Sequence, residues 1–103
     1  MDEVKREILL AFWKVRILHR ASEGPVHGHL MLRELRDSGH DISPGTLYPV
    51  FRRMEQRGWL RSEADPARGP RGRRDFHLTD AGRRVLDMVR QQVAELHREV
   101  NGP

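Results

Sequence analysis

The hydrophobic positions of the chain follow two periods, and together they predict four helices and one pair of strands. Apolar residues spaced three and four apart indicate helices over about 3–21, 29–38, 44–57 and 79–100. Residues 58–63 and 73–79 instead alternate apolar with polar or charged side chains, which is typical of half-buried strands. The pattern therefore predicts a mainly α fold with a two-stranded β wing, in which a winged helix-turn-helix is followed by a C-terminal helix.

The third helix has the best-marked ends and the clearest division into two sides. Ser43 is expected to cap it through its hydroxyl, Pro44 suits the first helical position, and Gly58 supplies a left-handed stop. The opposite side to its apolar stripe carries polar, aromatic and basic residues, with Glu55 toward the flank, and this favours contact with a nucleic acid. The stripe recurs at i, i+3, i+4 and i+7 and predicts a buried side made of Leu47, Val50, Phe51 and Met54.

The two strands are expected to pair as a ribbon beside this helix. In the predicted pairing, Leu60 and Ser62 lie opposite Phe76 and Leu78. The connecting segment 64–72 contains two prolines, two glycines and two arginines, so we expect a flexible, positively charged loop. A basic loop next to a helix that suits a groove is the arrangement of a winged DNA-binding domain.

Arginine supplies most of the positive charge and is concentrated in the predicted third helix and wing. The chain has 103 residues, a length typical of one domain, and a net charge of +4. Of its 19 basic residues 17 are arginines, whose forked guanidinium group binds phosphate and guanine. Residues 52–74 hold eight arginines and three acidic residues, a net charge of +5, so the remainder is close to neutral. A genome-wide preference for arginine would explain the residue type better than it explains this clustering.

Five short motifs resemble those of the PadR family of bacterial transcriptional regulators, and they extend over nearly the whole chain. They are H-G at 27–28, R-E-L at 33–35, S-P-G-T-L-Y-P at 43–49, G-W-L at 58–60 and L-T-D-A-G at 78–82. Two positions depart from the family pattern. His29 stands where an aromatic residue usually follows the H-G pair, and Asp75 replaces the first of two adjacent aromatic residues in the second wing strand.

The resemblance implies a homodimeric DNA-binding repressor. Its third helix would enter the major groove, its wing would contact the backbone or the minor groove, and its last helix would pair the subunits. The chain would then consist of a winged helix-turn-helix DNA-binding domain over residues 1–78 and a C-terminal dimerisation helix over residues 79–103, in one compact unit.

The candidate DNA-binding residues lie at the start of the third helix, along its outer side and in the wing. Free N–H groups at a helix N-terminus suit a phosphate or a base acceptor. Tyr48 offers a hydroxyl and a ring for a phosphate or a thymine methyl, although a surface-packed aromatic is the alternative. Pro49 removes the backbone hydrogen bond to Gly45 and is expected to bend the first turn, which would set the angle of the helix in the groove. Backbone contact is favoured for Arg53, and base and phosphate contacts stay open for the wing. The full set is Ser43, Gly45, Thr46, Tyr48, Pro49, Arg52, Arg53, Arg71, Arg73 and Arg74.

The first and last helices carry more apolar residues than one small domain needs, which predicts a homodimer. In the first helix, Ile8 and Phe12 belong to one apolar side, and a second apolar side nearly opposite is expected to meet a partner subunit. In the last helix, apolar residues spaced 3, 4, 3, 4 form a heptad seam of about two repeats, although an ordinary intramolecular core is the alternative. Two recognition helices related by a two-fold axis would read a palindrome with half-sites about 34 Å apart. The candidate interface residues are Leu10, Trp13, Ile17, Leu86, Val89, Val93, Leu96 and Val100.

Enzymatic and metal-binding functions find little support in the sequence. The six histidines are scattered, the closest pair being His27 and His29, and no H-E-x-x-H spacing or carboxylate cluster accompanies them. Phosphate-binding glycine loops and nucleophile settings are also missing from the sequence, so neither catalysis nor a cofactor is expected. With no cysteine and an N-terminal apolar run too short and too charged for a membrane span or a signal, a cytoplasmic protein is expected.

Two hypotheses about partners remain open at this point. The leading one is a sequence-specific transcriptional regulator that binds double-stranded DNA, and the competing one is a winged-helix module that binds a protein through the same basic surface. A small-molecule effector at the dimer interface is conceivable beside Trp13, although a place in the dimer core explains that residue more simply.

Overall fold

The computed structural model describes residues 2–64, 67 and 73–102, and these residues form four helices and a three-stranded antiparallel sheet. The chain runs from helix to sheet and back in an order that matches the predicted winged helix-turn-helix with a C-terminal helix. Its elements are α1 (Asp2–Ser22), β1 (Val26–His27), α2 (Gly28–Asp37), α3 (Pro44–Gln56), β2 (Leu60–Ala64), β3 (Arg74–Leu78) and α4 (Asp80–Asn101).

The ends of α3 and α4 are set by individual capping and stop residues. Gly58 has φ +80°, so the predicted left-handed stop after α3 is confirmed. Thr79 caps α4, since its Oγ1 accepts the N–H of Gly82 at 3.0 Å. Ser43 is the N-cap residue of α3, but the expected side-chain cap is wrong. Its hydroxyl donates to Oγ1 of Thr46 at 3.3 Å, and the Thr46 N–H donates to the Ser43 carbonyl oxygen at 3.1 Å.

The core lies between α1, α2, α3 and the sheet. The predicted apolar stripe of α3 is fully inside it, and α2 contributes Met31, Leu32 and Leu35. Trp13 and Ile17 of α1 are 4% and 0% exposed, whereas Ile8 and Phe12 are 57% and 43% exposed. The sequence therefore identified two apolar sides on α1, but the Trp13 side expected at a partner is buried, and of the side expected inward Leu18 is buried while Ile8 and Phe12 are exposed.

The sheet has the order β1-β3-β2, and β3 is its central strand. Leu60 pairs with Leu78 and Ser62 pairs with Phe76, so the residues predicted to face each other across the wing do so. The two-stranded prediction is incomplete, because Val26 pairs with Phe76 on the other edge of β3. A strand of two residues is too short to show a period in the sequence, so it could not be recognised there.

Most of the expected basic loop lies outside the described residues, which omit 65, 66 and 68–72. Arg71, a candidate DNA contact, is among them. Within the part of the chain that the structure describes, no helix is both long enough and apolar enough to cross a membrane.

Candidate nucleic-acid interface

The outer side of α3 is an open surface backed by a rigid core. Leu47 and Met54 on the inner side are completely buried, and Val50 and Phe51 are nearly so. The predicted recognition side lies opposite them. It exposes Ser43, Gly45, Tyr48, Pro49, Arg52 and Arg53, with Thr46 half-buried. Tyr48 and Arg52 line one cleft with the start of β3, whereas Ser43 and Thr46 line a separate concavity beside α1.

Tyr48 is held on this surface by the start of α2. Its ring lies so close to the backbone of Gly28 that a methyl group at Gly28 would come within 2.7 Å of Cε1. Only glycine leaves room for the ring at this distance, which explains why a glycine follows the histidine of the H-G motif. Tyr48 remains 38% exposed, so its outer edge is available for contact with DNA.

The start of α2 is fixed by a histidine cap. The Nδ1 atom of His27 accepts the N–H of Leu30 at 3.1 Å, and His27 has the extended backbone expected of an N-cap residue. His27 also belongs to β1, so it joins the sheet to α2. The histidine of the H-G motif therefore has a structural role at the junction of β1 and α2.

Glu55 connects the recognition helix to the wing. Its Oε2 accepts the backbone N–H of Ser62 at 3.1 Å, and the Ser62 hydroxyl donates to the same oxygen. The sequence placed Glu55 only toward the flank of α3. No pattern in the sequence reveals its partner, because the contact joins residues seven positions apart across the turn between α3 and β2.

The two wing arginines that the structure describes are both exposed at the start of β3. Arg73 forms an ion pair with Asp75, with Nε 3.5 Å from Oδ1, while Arg74 has no carboxylate partner among the described residues. Asp75 is one of the departures from the family pattern. The next residue, Phe76, packs on Phe51 of α3 with ring centroids 4.7 Å apart, so the wing still rests on the recognition helix through an aromatic contact.

A concave surface, here called the α2–α3–β3 cleft, lies between these three elements and has a volume of about 650 Å³. Phe51 and Phe76 line its apolar part. Its polar lining consists of His27, His29, Tyr48, Arg52, Glu55, Arg73 and Arg74. The predicted recognition helix and the wing thus border one continuous basic cleft, with the start of α2 as its third wall.

The opposite part of the molecule exposes a second, apolar surface. On α1 it consists of Val4, Ile8 and Phe12, which are 54%, 57% and 43% exposed. These residues are spaced by four, so they follow one side of the helix. Along α4, every residue from 91 to 101 is exposed, and the apolar ones among them are Val93, Leu96 and Val100.

Three of the residues expected at a dimer interface are instead in the core of the single chain. Trp13, Ile17 and Leu86 are at most 4% exposed, Leu10 packs partly against the same core, and Val89 is half-buried. Trp13 is covered by the turn between α2 and α3, where it contacts His40, and α1 also packs against β3 and α4. The heptad spacing of α4 therefore continues from a core position, Leu86, into an exposed seam.

The burial of Trp13 within the single chain also corrects its expected place in the dimer core. Its Nε1–H donates to Nδ1 of His40 at 3.3 Å, and the two rings meet edge to face with centroids 6.1 Å apart. Burial, and to a smaller extent the positive charge of Arg16, lowers the pKa of His40 below its ordinary value. A neutral imidazole at this position can accept the indole N–H, so the Trp13–His40 hydrogen bond joins α1 to the turn after α2.

Comparison with known proteins assigns this architecture to a family. The model of the transcriptional regulator PadR-like family matches residues 17–88. The chain belongs to the PadR-like family. The resemblance seen in the sequence motifs is thereby confirmed, and with it the class of transcriptional regulators.

Individual relatives agree with this assignment over most of the chain. Transcriptional regulator Rv3488 of Mycobacterium tuberculosis is 43% identical over 97 residues, which cover 94% of this PadR-like chain and 90% of the relative. The crystal structure of a PadR family transcriptional regulator from Eggerthella lenta is 33% identical, with a TM-score of 0.76 and coverage of 97% and 91% of the two chains. A structure from Streptococcus mutans, 22% identical, shares the fold with a TM-score of 0.80 over 90% of this chain and 86% of that one.

Proposed function

We propose that this PadR-like regulator is a sequence-specific DNA-binding repressor that acts as a homodimer on a palindromic operator. The observation that carries the proposal is the outer side of α3, where Tyr48, Arg52 and Arg53 project from a helix whose other side is buried. Arginine is suited to guanine and to phosphate, and a helix with one open basic side matches the width of the major groove.

The wing extends this surface. Arg73 and Arg74 lie at the start of β3 beside the α2–α3–β3 cleft, where they are close enough to the recognition helix to share one duplex with it. In winged domains the recognition helix reads bases, while contacts from the wing and from helix starts fix the protein on the backbone. We assign base contacts to Tyr48 and Arg52, and phosphate contacts to Arg53, Arg73 and Arg74. Arg71, in the segment outside the described residues, is proposed as a further wing contact.

The proposed dimer uses the exposed apolar surface. Each α4 contributes Val89, Val93, Leu96 and Val100, and we propose that these residues pack against the Val4, Ile8 and Phe12 side of α1 in a second copy. The α1 residues proposed at the interface are those of the exposed side, in place of the buried Trp13 side that the sequence indicated. Isologous pairing of this kind relates the two α3 helices by a two-fold axis, as a palindromic operator requires.

Binding to selected DNA at several salt concentrations tests the proposal. The wild-type protein selects sites from random duplexes, and the affinity for the enriched duplex is then measured. A DNA-binding protein that neutralises several phosphates loses affinity steeply, and log K falls with log salt at a slope of about 0.9 per phosphate contact. Tyr48→Ala and Arg52→Ala should weaken binding about tenfold or more while leaving the circular dichroism spectrum unchanged.

The competing hypothesis, a winged module that binds a protein partner, makes a different prediction. Such a module would enrich no common sequence from the random pool, and any residual DNA binding would be the same for all duplexes. Arg90→Ala is a matched control, because Arg90 is exposed on α4, where it forms an ion pair with Asp87 and lies outside the proposed DNA surface. It should bind the enriched duplex with wild-type affinity.

A further inference from the structure

His29 occupies a position in the α2–α3–β3 cleft that the proposed DNA contacts do not use. It lies in the first turn of α2, is exposed, and lines the cleft together with Tyr48 and Arg74. Among the described residues, no carboxylate forms an ion pair with it. The sequence departs from its family at this position by having a titratable side chain.

The neighbouring imidazole, that of His27, caps the start of α2. Nδ1 of His27 accepts the N–H of Leu30, so this atom carries no proton while the cap of α2 is formed. The ring of His29 lies parallel to that of His27, with an angle of 7° between the planes and 6.4 Å between the centroids. His29 makes no such cap contact, so it is the imidazole of the pair that can gain a proton without breaking the cap of α2.

The charges around the cleft favour an anion. Two of the carboxylates near it are already engaged, Glu55 by Ser62 and Asp75 by Arg73. On α2 itself, Arg33 follows His29 by one turn. The groups that line the cleft from the other elements are Tyr48, Arg52 and Glu55 on α3 and Arg73 and Arg74 at the start of β3. Asp75 is paired with His27 in the sheet.

We propose that His29 is a further DNA contact, which binds a backbone phosphate in the α2–α3–β3 cleft in its protonated form, and that it makes operator affinity depend on pH. The proposal rests on the proposed DNA-binding function and adds a group to the same surface. A phosphate diester keeps its single negative charge throughout the neutral range, so only the imidazole titrates. Bound phosphate stabilises the imidazolium, and the complex therefore takes up a proton on formation.

The direction of the effect follows from this linkage. Affinity is greatest below the pH range in which histidine ordinarily titrates, near pH 6.5, and is lost as the pH rises through the higher titration range of the complex. One such contact should raise the affinity by about threefold to tenfold between pH 8 and pH 5.5. At the lower pH it should also steepen the dependence of log K on log salt by about 0.9 for each protonated contact.

The test measures the affinity for the selected duplex and for an unrelated duplex of equal length, at constant ionic strength between pH 5.5 and 8. Wild type, His29→Gln and His29→Tyr are compared. Because a phosphate contact carries no sequence information, both duplexes should bind wild type more tightly at low pH. Both variants should bind at pH 8 as wild type does and should lack most of the gain on acidification.

Two controls make the result specific. His27→Asn keeps an N-cap acceptor and removes the other imidazole, so it should retain the pH dependence. The NMR signals of the His29 ring should respond to the duplex and not to inorganic phosphate of matched ionic strength. An equal response to inorganic phosphate would overturn the assignment to the DNA backbone.

The failure of this proposal is distinguishable from failure of the proposed function. Wild-type pH dependence in His29→Gln, with DNA binding intact, would overturn the role of His29 alone. If wild type binds neither duplex at any pH, both proposals are wrong.

Discussion

The ring of Tyr48 lies directly on the backbone of Gly28, and this contact joins the start of α2 to the recognition surface of α3. A methyl group at Gly28 would come within 2.7 Å of Cε1 and 3.0 Å of Cδ1 of the ring. The two halves of the helix-turn-helix are therefore locked together at the residue expected to touch DNA. Gly28 acts on the surface through this steric contact.

Gly28→Ala should weaken operator binding with little loss of stability. The added methyl group displaces the Tyr48 ring, which is partly exposed and can turn outward, and alanine is the better helix former by up to about 1 kcal/mol. We expect a loss of DNA affinity of about tenfold and a change in the free energy of unfolding below about 1 kcal/mol. A fluorescence anisotropy titration and urea denaturation measure the two quantities.

A double-mutant cycle identifies the cause of that loss. Once Tyr48→Ala has removed the ring, Gly28→Ala should have no further effect on DNA affinity. Additive losses in the double variant would show that Gly28 acts on DNA independently of Tyr48.

The seam of α4 should be necessary for the dimer. Leu96→Glu places a charge in a row of apolar residues that would be desolvated against a second copy, so the variant should be monomeric at micromolar concentration. Phe12→Glu on α1 should have the same effect. Multi-angle light scattering gives the mass, and circular dichroism should remain that of wild type because both side chains are exposed in the single chain.

Gln91→Glu serves as the control for the dimer prediction. It introduces the same charge on α4 at an exposed position that the helical period places away from the seam. It should remain dimeric, and dimers in all three variants would show that this surface is not the interface.

Gly82→Ala should destabilise the fold through a contact between α4 and the start of the wing. A methyl group at Gly82 would lie 2.1 Å from the carbonyl oxygen of Trp59, which is backbone and cannot rotate away. The same carbonyl accepts the N–H of Thr79 at 3.1 Å. The G-W-L and L-T-D-A-G motifs therefore interlock, and we expect a loss of about 1–3 kcal/mol in the free energy of unfolding.

Gly45→Ala is the matched control for this effect. Gly45 is also in the first turn of a helix, but the nearest atom to an added methyl group is Oγ of Ser43 at 3.8 Å. The substitution should leave the free energy of unfolding unchanged or raise it by up to about 1 kcal/mol. Equal losses in the two variants would contradict the steric explanation.

His40 should make stability depend on pH. Burial, followed by the charge of Arg16, lowers its pKa in the folded protein, so the unfolded chain binds the proton at a higher pH than the folded one does. Stability is therefore fully present above the ordinary histidine range and is lost as the pH falls below about 6.5, toward the lowered pKa of the folded state. Protonation at Nδ1 would also break the hydrogen bond from Trp13.

Urea denaturation at pH 8, 7, 6 and 5 checks this prediction. The amide of His40→Gln can still accept the Trp13 N–H and does not titrate, so the variant should lose less stability than wild type on acidification. Parallel losses in the two proteins would show that another group is responsible.

The α3 segment shows how far the sequence could predict the site. The N-cap position of α3 and its stop at Gly58 follow from the conformational preferences of single residues. The division of the helix into a Leu47 side and a Tyr48 side follows from helical spacing. Both signals act over a few positions. The two wing strands followed in the same way from alternation. The hydrogen-bond partner of the Ser43 hydroxyl could not be predicted in this way, because two partners lie within one turn and the sequence does not rank them.

The orientation of α1 could not be predicted for a different reason. Two apolar sides of similar size present the same pattern, and the choice between them depends on shape. The flat ring of Trp13 fills the space beside His40, while Phe12 is left outside. The same holds for Glu55 and Ser62, whose contact forms only after α3 and β2 are positioned by the core.

The amino-acid sequence by itself determined the four helices, the two wing strands and the basic outer side of α3, since each depends on residues close together in the chain. The tertiary structure alone decided which side of α1 is buried, where β1 joins the sheet, and that Gly28 supports Tyr48. These features depend on packing between residues far apart in the chain, where close-packed shape selects one arrangement among several that the hydrophobic pattern permits.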